Sequence, residues 1–359
     1  MEPAEQRPTA DQVAAPRPAP DPFAPVRWVA ERERAMLPGG AREVRSATLF
    51  LVGSECPFSC TFCDLGRHTL GRAATPAGAI PRQIVGALAA IEASGGGPMN
   101  GLHTVKLYNA SNWFEERAVP GRDDAAVLGA LAEIPRVTVE CHPRLAVSGR
   151  CEAFARARRD GGGELEIALG LETSRPEVFA RLGKGCDLGH MERALLWLAE
   201  RRVVVRLFVL VGLPWIDAGE QVAAAVESVG WAAARGAASV SLIPLRPTPQ
   251  LRRAARAARA DDGRGGRGVA PVSLALFEDA VGAACEAYDE RWGGPLVVRA
   301  DLWDLDALPA CRRCGARRRA AMRRRERRSR GWSDEEAACC DRCRRALPGE
   351  APAAAETRS

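Results

Sequence analysis

The sequence contains almost no lysine, because Lys106 and Lys184 are the only two among its 51 basic residues. Arginine carries nearly all the positive charge, so a single arginine is weak evidence of function. No apolar run approaches the 20 or so residues that a membrane-spanning helix requires. The N-terminus also lacks the basic and apolar segments of a secretory signal. We therefore expect a cytoplasmic protein that has no membrane partner.

The formal net charge of +6 is unevenly distributed along the 359 residues. From residue 311 onward, 15 arginines accompany seven acidic residues, so this segment carries +8 and the preceding 310 residues carry −2. The basic character therefore belongs to the C-terminal segment, and the rest of the chain is close to neutral.

Short apolar runs alternate with helical patterns from about residue 42 onward. The predicted strands are Ala47–Val52, Thr104–Tyr108, Arg136–Glu140, Leu165–Leu171, Val203–Val211 and Ser239–Ile243. Six strands separated by helices favour a parallel α/β sheet, either closed like a barrel or open. The segment Arg252–Gly268 is rich in Arg, Ala and Gly, and we expect a mobile insertion there.

Composition divides the chain into four parts. Seven prolines and six alanines within residues 1–25 are typical of a disordered tail. The predicted parts are a disordered tail over 1–41, a core domain over 42–300, a cysteine-containing and arginine-rich module over 301–348, and a second disordered tail over 349–359.

Three cysteines, Cys56, Cys60 and Cys63, directly follow the first predicted strand. Loops at the carboxyl ends of parallel strands are where active sites form. A reducing cytosol disfavours disulfides, so closely spaced cysteines indicate a metal. Three thiolates leave a four-coordinate metal centre with one open position, and an open position usually indicates a catalytic site.

The spacing Cys-x3-Cys-x-aromatic-Cys resembles that of the radical S-adenosylmethionine (SAM) superfamily. The resemblance implies a partial (β/α)6 barrel in which Cys56, Cys60 and Cys63 hold a [4Fe–4S] cluster and SAM binds the fourth iron. It also implies that an external reductant of the flavodoxin or ferredoxin type supplies one electron. SAM cleavage would then give a 5′-deoxyadenosyl radical that abstracts hydrogen from the substrate.

The same resemblance implies that the ends of the barrel strands contact SAM. Many members carry a Gly-Gly-Glu segment after the second strand, and this chain has Asn and Ser residues there instead. A charge inside the apolar fifth strand would be costly without a partner, which favours a binding role for Arg206. The predicted cofactor-binding residues are Phe62, Asn109, Ser111, Asn112, Glu140, Glu172 and Arg206.

A second group of cysteines lies near the C-terminus, where Cys311-x2-Cys314 and Cys340-x2-Cys343 are separated by 25 residues. Two such pairs supply the four thiolates of a tetrahedral Zn²⁺ site, and four protein ligands make that site structural. We therefore predict a small four-cysteine module resembling a zinc ribbon. A second iron–sulfur cluster is the alternative.

Arginines crowd the segment between the two cysteine pairs. A dense arginine array suits phosphate backbones, whereas the alternative is a merely solvated helix face. The predicted nucleic-acid contacts are Arg317, Arg318, Arg319, Arg323, Arg324, Arg325, Arg327 and Arg328.

Longer stretches resemble one branch of the superfamily, the radical-SAM subunit of archaeosine synthase and its bacterial relatives, which are related to the Elongator catalytic subunit. These stretches are Cys63–Leu70, Thr75–Ile84, Val105–Trp113, Glu140–Leu145 and Asp301–Asp304. The resemblance implies modification of tRNA by carbon–nitrogen cleavage of a lysine-bearing 7-deazaguanine base. A partner enzyme would prepare that base.

Two other functions stay open at this point. One is a radical SAM enzyme that acts on a small molecule or peptide, with the C-terminal module serving as a structural cap. The other is a non-catalytic RNA-binding metalloprotein.

Overall fold

A computed structural model describes residues 20–94, 101–261, 269 and 271–327. It shows an α/β fold built on one eight-stranded sheet, whose strands neighbour each other in chain order. The first strand pairs antiparallel with the second, and every later pair is parallel. The first strand also contacts the eighth, so the sheet curls into a nearly closed barrel.

The strands are β1 (Trp28–Leu37), β2 (Gly40–Phe50), β3 (Thr104–Tyr108), β4 (Arg136–Cys141), β5 (Glu164–Glu172), β6 (Val204–Val211), β7 (Ser239–Pro244) and β8 (Val297–Ala300). The helices are α1 (Ala79–Ala93), α2 (Asp124–Ala130), α3 (Pro143–Ala146), α4 (Gly149–Asp160), α5 (Pro176–Ala180), α6 (Leu188–Glu200), α7 (Gln221–Ala233), α8 (Pro249–Asp261), α9 (Leu274–Tyr288) and α10 (Gly315–Arg327).

Side chains alternate between the two faces of the barrel wall. In β3, Val105 and Leu107 are fully buried in the apolar core beneath the helices. The intervening Lys106 points into the barrel, where its ammonium group meets two carboxylates of β1. The same alternation on the other strands produces an apolar layer outside the wall and an unusually polar interior.

One buried carboxylate joins four strands inside the barrel. Glu33 on β1 lies 2.8 Å from the Nζ atom of Lys106, 3.6 Å from a guanidinium nitrogen of Arg206, and beside Arg299 on β8. Burial by itself would raise the pKa of Glu33, but the three cations hold it well below its usual range. Arg206 also pairs with Glu166 of β5 at 3.1 Å, which extends the network across the barrel.

The structure corrects the predicted tail over residues 1–41, because Trp28–Leu37 form β1. This strand carries the alternating charges Glu31, Arg32, Glu33 and Arg34, so it lacks the apolar periodicity of an ordinary buried strand. Its inward carboxylates are instead neutralised by cations on other strands. The six predicted strands are confirmed, with β1 and the short β8 added. Residues 1–19 lie outside the described part of the chain.

The segment Arg252–Gly268 also differs from its prediction as a mobile insertion. Its first ten residues continue α8, which buries Leu251 and Ala255 in the core. The remainder, residues 262–268, lies outside the described residues. An arginine-rich sequence with small residues can therefore form an amphipathic helix that packs through its alanines.

Residues 301–327, assigned from sequence to a separate module, pack directly against the barrel. Helix α10 contacts α9 and β1, and it buries Met322 in the core. The guanidinium of Arg318 forms a buried ion pair with Glu278 on α9. Residues 328–359 are not described, so the rest of the predicted module stays a prediction.

Within the described ranges, no helix combines the length and the apolar character that crossing a membrane requires.

The ion pairs around Glu33 predict that removing its charge strongly destabilises the folded protein. Replacing Glu33 by Gln leaves three buried cations short of one carboxylate, which we expect to lower the free energy of unfolding by about 3–5 kcal/mol. Urea denaturation followed by circular dichroism measures this loss. Because the pKa of Glu33 lies below its ordinary value, the stabilisation is complete at neutral pH and is lost as the pH falls below about 4.

The matched control is Glu31→Gln on the same strand. The Glu31 side chain is 34% exposed and pairs with Lys106 at 2.8 Å, so we expect its loss to cost less than about 1 kcal/mol. Equal effects of the two substitutions would contradict the assigned role of Glu33.

Candidate functional site

The three clustered cysteines lie on a loop that begins at the carboxyl end of β2 and leads to α1. Two backbone hydrogen bonds close the base of this loop. Leu70 donates to the carbonyl of Gly53 at 2.9 Å, and Glu55 donates to that of Gly71 at 2.8 Å. The loop, residues 53–71, is called the cysteine loop below. Its position agrees with the sequence-based prediction.

Contacts from other strand ends hold the cysteine loop over the barrel. The backbone N–H of Thr61 donates to the carbonyl of Leu182 at 2.9 Å, and the hydroxyl of Thr248 donates to the carbonyl of Thr61 at 3.4 Å. Gly183 has φ +65°, and a Cβ there would lie 3.4 Å from the carbonyl oxygen of Ser59. The chain after α5 therefore needs glycine to pass this closely beneath the loop.

The three thiols are half-buried and close enough to influence one another. Burial raises the pKa of Cys60 to about 12, the nearby Lys184 ammonium lowers it, and the charges of Cys63 and Cys56 raise it. Burial also raises the pKa values of Cys56 and Cys63. Three mutually repelling thiolates in this position require a cation to stabilise them.

No group of three or more His, Cys, Asp or Glu side chains in the described ranges converges on a single-ion site. A polynuclear iron–sulfur cluster has a different requirement, because its thiolates bind separate iron atoms. The donor set, three cysteine thiols on one loop, suits such a cluster chemically.

The segment that follows β3 lies beside the cysteine loop. The Asn112 side-chain amide donates to the Cys56 sulfur at 3.2 Å. Asn109 is fully buried, yet its side-chain nitrogen finds no partner among the described residues, and neither does the hydroxyl oxygen of Ser111. Buried polar atoms without partners are costly in proteins. The three predicted residues are therefore together, and two of them have hydrogen-bonding capacity for a ligand.

Glu172, one of the predicted cofactor-binding residues, forms a buried ion pair at the end of β5. Its carboxylate accepts a hydrogen bond from the Lys184 ammonium at 2.8 Å. Burial would lower the pKa of Lys184, but Glu172 more than offsets this, and the lysine stays charged. The ammonium also lies 5.5 Å from the ring centre of Phe62 on the cysteine loop. Glu172 and Phe62 are thus linked through one lysine.

The backbone around this ion pair is irregular. Glu172 has φ +65°, and the register between β5 and β6 shifts between Gly170 and Glu172. A Cβ at Gly170 would collide with both the Glu172 carboxylate and the Lys184 ammonium. Gly170 therefore makes room for the pair over the barrel interior.

Glu140, another predicted cofactor-binding residue, ends β4 within the same region. Its burial, with the charge of Glu172 nearby, raises the pKa of Glu140 to about 8. The carboxyl group is consequently protonated at neutral pH and able to donate a hydrogen bond.

His142 connects the end of β4 to the cysteine loop. Its ring stacks on Phe58, with centroids 3.7 Å apart and planes at 18°. Its Nε2 atom lies 2.9 Å from the carbonyl oxygen of Lys184, and its Nδ1 atom accepts from the backbone N–H of Arg144. These partners define a neutral ring with the proton on Nε2. The sequence does not predict the stacking of Phe58, although Phe58 lies between two of the cysteines.

Arg206, predicted to bind the cofactor, has Glu33 and Glu166 as its partners inside the barrel. A buried arginine does need a partner, as expected from the cost of burying a charge. One of the partners lies on β1, in the segment that the sequence assigns to a tail. A cofactor-binding role for Arg206 stays a prediction that these contacts do not support.

Half of the predicted four-cysteine site is described. Cys311 is half-buried and Cys314 is buried, and both lie in the turn that precedes α10. Cys340 and Cys343 lie outside the described residues, so both Zn²⁺ binding and the alternative second cluster stay predictions.

The predicted arginine array divides into two groups. Arg318 pairs with Glu278, Arg319 donates to the carbonyls of Leu305 and Leu308, and Arg323 pairs with Asp306. These side chains stabilise the packing of α10. Arg317 and Arg324 are exposed. The side chains of Arg325, Arg327 and Arg328 lie outside the description.

Neither protein-family models nor curated proteins match the sequence. Several solved structures align with the fold, and two of them, TsrM and HemN, are radical SAM enzymes. The radical SAM methyltransferase TsrM from Kitasatospora setae aligns with 18% identity and a TM-score of 0.39, over 58% of this chain and 40% of TsrM. Archaeal Elp3 from Methanocaldococcus infernus aligns with 12% identity and a TM-score of 0.44, over 61% of this chain and 51% of Elp3.

Coproporphyrinogen III oxidase (HemN) from Escherichia coli aligns over 75% of this chain and 73% of its own, with 13% identity and a TM-score of 0.36. The chain thus spans about half or less of the length of TsrM and Elp3. At these identities and TM-scores, the similarity does not by itself assign the chain to a family.

The environment of His142 predicts that its imidazole stays neutral well below the pH at which a free histidine becomes protonated. Burial and the Lys184 charge lower the pKa of His142 to about 4. We expect ¹⁵N-detected NMR of the imidazoles to show a neutral Nε2–H ring at pH 6, with the His142→Gln variant providing the assignment. The neutral His142 ring contributes its full free energy to folding above about pH 6.5, and this contribution declines as the pH falls towards the folded-state pKa. Half-protonation near pH 6.5 would contradict the assigned contacts.

Proposed function

We propose that the chain is a radical SAM enzyme. The observation that supports this most directly is the position of Cys56, Cys60 and Cys63. The three thiols share one loop at the carboxyl end of a barrel strand, beside the unpaired polar atoms of Asn109 and Ser111. This arrangement combines an incomplete iron–sulfur ligand set with unused hydrogen-bonding groups for a second ligand.

Each residue of the cysteine loop and its surroundings has a separate role in this proposal. The three thiolates would hold a [4Fe–4S] cluster, and the amide of Asn112 would stabilise the Cys56 thiolate through its hydrogen bond. Asn109 and Ser111 would supply polar contacts to SAM. The chemistry that the cluster and SAM supply when bound is one-electron SAM cleavage followed by hydrogen abstraction from a substrate.

Lys184 would reduce the negative charge of the three thiolates, and Glu172 would hold the Lys184 ammonium in place. The buried ammonium lies near the Cys60 sulfur, so it offsets part of the negative charge that accumulates on three thiolates. Glu172 holds that ammonium in place from the end of β5. The Phe62 ring lies 5.5 Å from the same ammonium and adds a cation–π contact to it. An external reductant of the flavodoxin or ferredoxin type would supply the electron.

The substrate we propose is a modified base in tRNA, of the lysine-bearing 7-deazaguanine type, prepared by a partner enzyme. Support comes from the sequence resemblance and from the exposed Arg317 and Arg324 on α10. Nonspecific phosphate contacts of this kind give affinity that depends strongly on salt. A small molecule or peptide substrate is the alternative.

The enzyme proposal predicts that anaerobically reconstituted protein is brown and releases 5′-deoxyadenosine from SAM after reduction. Cys60→Ala should lose iron-dependent absorbance and reduce 5′-deoxyadenosine formation at least about 100-fold, because one of three cluster ligands is missing. Cys285→Ala is the matched control, since Cys285 is buried on α9. Wild-type protein that binds no iron and forms no 5′-deoxyadenosine would refute the proposal. Wild-type protein that binds RNA but cleaves no SAM would support the non-catalytic alternative.

The tRNA proposal predicts salt-sensitive binding through α10. Replacing Arg317 and Arg324 together by Gln should weaken tRNA binding and reduce the slope of log K against log salt by about 2. Arg253→Gln on the exposed face of α8 is the control. Mass spectrometry of tRNA nucleosides from cells with and without the gene gives the second readout. An unchanged nucleoside profile, with tRNA affinity unaffected by the substitutions, would favour the small-molecule alternative.

A further inference from the structure

The barrel strands share one layer of partly solvent-exposed residues near their carboxyl ends. Strands β2 to β7 each place one partly exposed, inward-facing residue after a buried stretch, which indicates an opening into the barrel. Asp301 continues the inward face of β8, two residues after Arg299. The layer, called the mouth layer below, consists of Phe50, Tyr108, Glu140, Gly170, Phe208, Ile243 and Asp301.

Aromatic side chains form a row across the mouth layer, from β2 and β3 to β6. Trp303, 46% exposed, contacts Phe50 with ring centroids 4.4 Å apart. Phe50 and Tyr108 are register partners on neighbouring parallel strands, so their side chains lie on the same face. Tyr108 meets Phe208 edge to face, with centroids 6.4 Å apart. Only 5% of the residues are aromatic, so four in one row is a marked concentration.

The row carries a cation at its outer end. The guanidinium of Arg27 lies 5.5 Å from the ring centre of Phe50 and 5.7 Å from that of Trp303. The guanidinium stacks on rings that would otherwise face solvent, and it orders them at the rim.

Carboxyl groups complete the mouth layer. Glu140 lies near the end of β4 and Asp301 directly follows β8, and burial raises the pKa of both. Asp301 accepts a hydrogen bond from the backbone N–H of Trp303 at 2.9 Å, which fixes the carboxylate next to the exposed ring. A ligand amine that entered the opening would find the Glu140 carboxyl group, which lacks full compensation.

We propose that the mouth layer is the substrate-binding part of the site and takes a planar aromatic ring that carries an amine. The ring would stack among Trp303, Phe50 and Phe208, and the amine would meet Glu140. This inference rests on the proposed radical SAM function, because it names the substrate class of that same site. It applies equally to a free heteroaromatic amine and to an unstacked nucleobase.

Two physical effects select such a ligand. Aromatic rings prefer flat partners with offset or edge-to-face contact, and each such contact contributes beyond simple burial of area. A desolvated carboxyl group stays protonated while it has no charge partner and becomes a carboxylate when an ammonium group lies beside it, so the site favours an amine. An aliphatic amine can pair with the carboxyl group but cannot stack on the rings. A neutral aromatic ring can stack but cannot pair with the carboxyl group.

The test uses the full-length, anaerobically reconstituted protein and two amines of equal chain length. Tryptamine carries a planar ring, whereas 2-cyclohexylethylamine carries a puckered one. Isothermal titration calorimetry should show tryptamine binding at least about tenfold more tightly. Trp303→Leu and Phe208→Leu should each weaken tryptamine binding about fivefold. Glu140→Gln should weaken tryptamine binding but leave the affinity for neutral indole unchanged.

Trp197→Leu is the matched control, since Trp197 is a half-buried tryptophan on α6 that stacks with Arg201. Equal affinity for the two amines, or equal losses in Trp303→Leu and Trp197→Leu, would overturn the inference. Iron content and SAM cleavage, measured on the same samples, separate this failure from failure of the enzyme proposal. Protein with a SAM-cleaving cluster but no preference for the planar ring contradicts the mouth-layer assignment alone.

Discussion

The rest of the structure depends on the charge compensation of Glu33 inside the barrel. A carboxylate and three cations, contributed by four different strands, are buried where most barrels place apolar side chains. Each charge is tolerable there only because the others are present. The network joins the antiparallel β1 to the short β8, together with the ion pair of Arg34 and Asp289 and the hydrogen bond from Arg299 to the Arg34 carbonyl.

The Glu33 network closes the barrel interior, and this determines where a ligand can enter. The charged network fills the interior beneath the mouth layer, so the opening remains at the carboxyl ends of the strands. Several loops converge on that end, and the cysteine loop is held there by a hydrogen bond from Thr61 to the Leu182 carbonyl and one from the Thr248 hydroxyl. The thiols, the unpaired groups of Asn109 and Ser111, and the aromatic row therefore surround one entrance. Their common location follows from topology rather than from sequence proximity.

The local sequence predicts the parallel strands and the cysteine loop because both leave short-range patterns. Strands β3 to β7 alternate with helices, and the cysteines have a distinctive spacing. β1 could not be predicted in this way, since its alternating charges are stable only against Lys106, Arg206 and Arg299, which are distant in sequence. The partners of Arg206 are likewise distant in sequence, so the local sequence around Arg206 favours a ligand-binding role instead of an ion pair. The pairing of Lys184 with Glu172 and the row from Trp303 to Phe208 likewise join residues on separate strands.

The central claim is that three thiolates of the cysteine loop hold an iron–sulfur cluster with a position open to SAM. Electron paramagnetic resonance of the reduced, reconstituted protein tests it directly. We expect the signal of a single reduced [4Fe–4S] cluster that changes on addition of SAM and is absent in the Cys56→Ala variant. A signal that SAM leaves unchanged, or one that persists without Cys56, would contradict the claim.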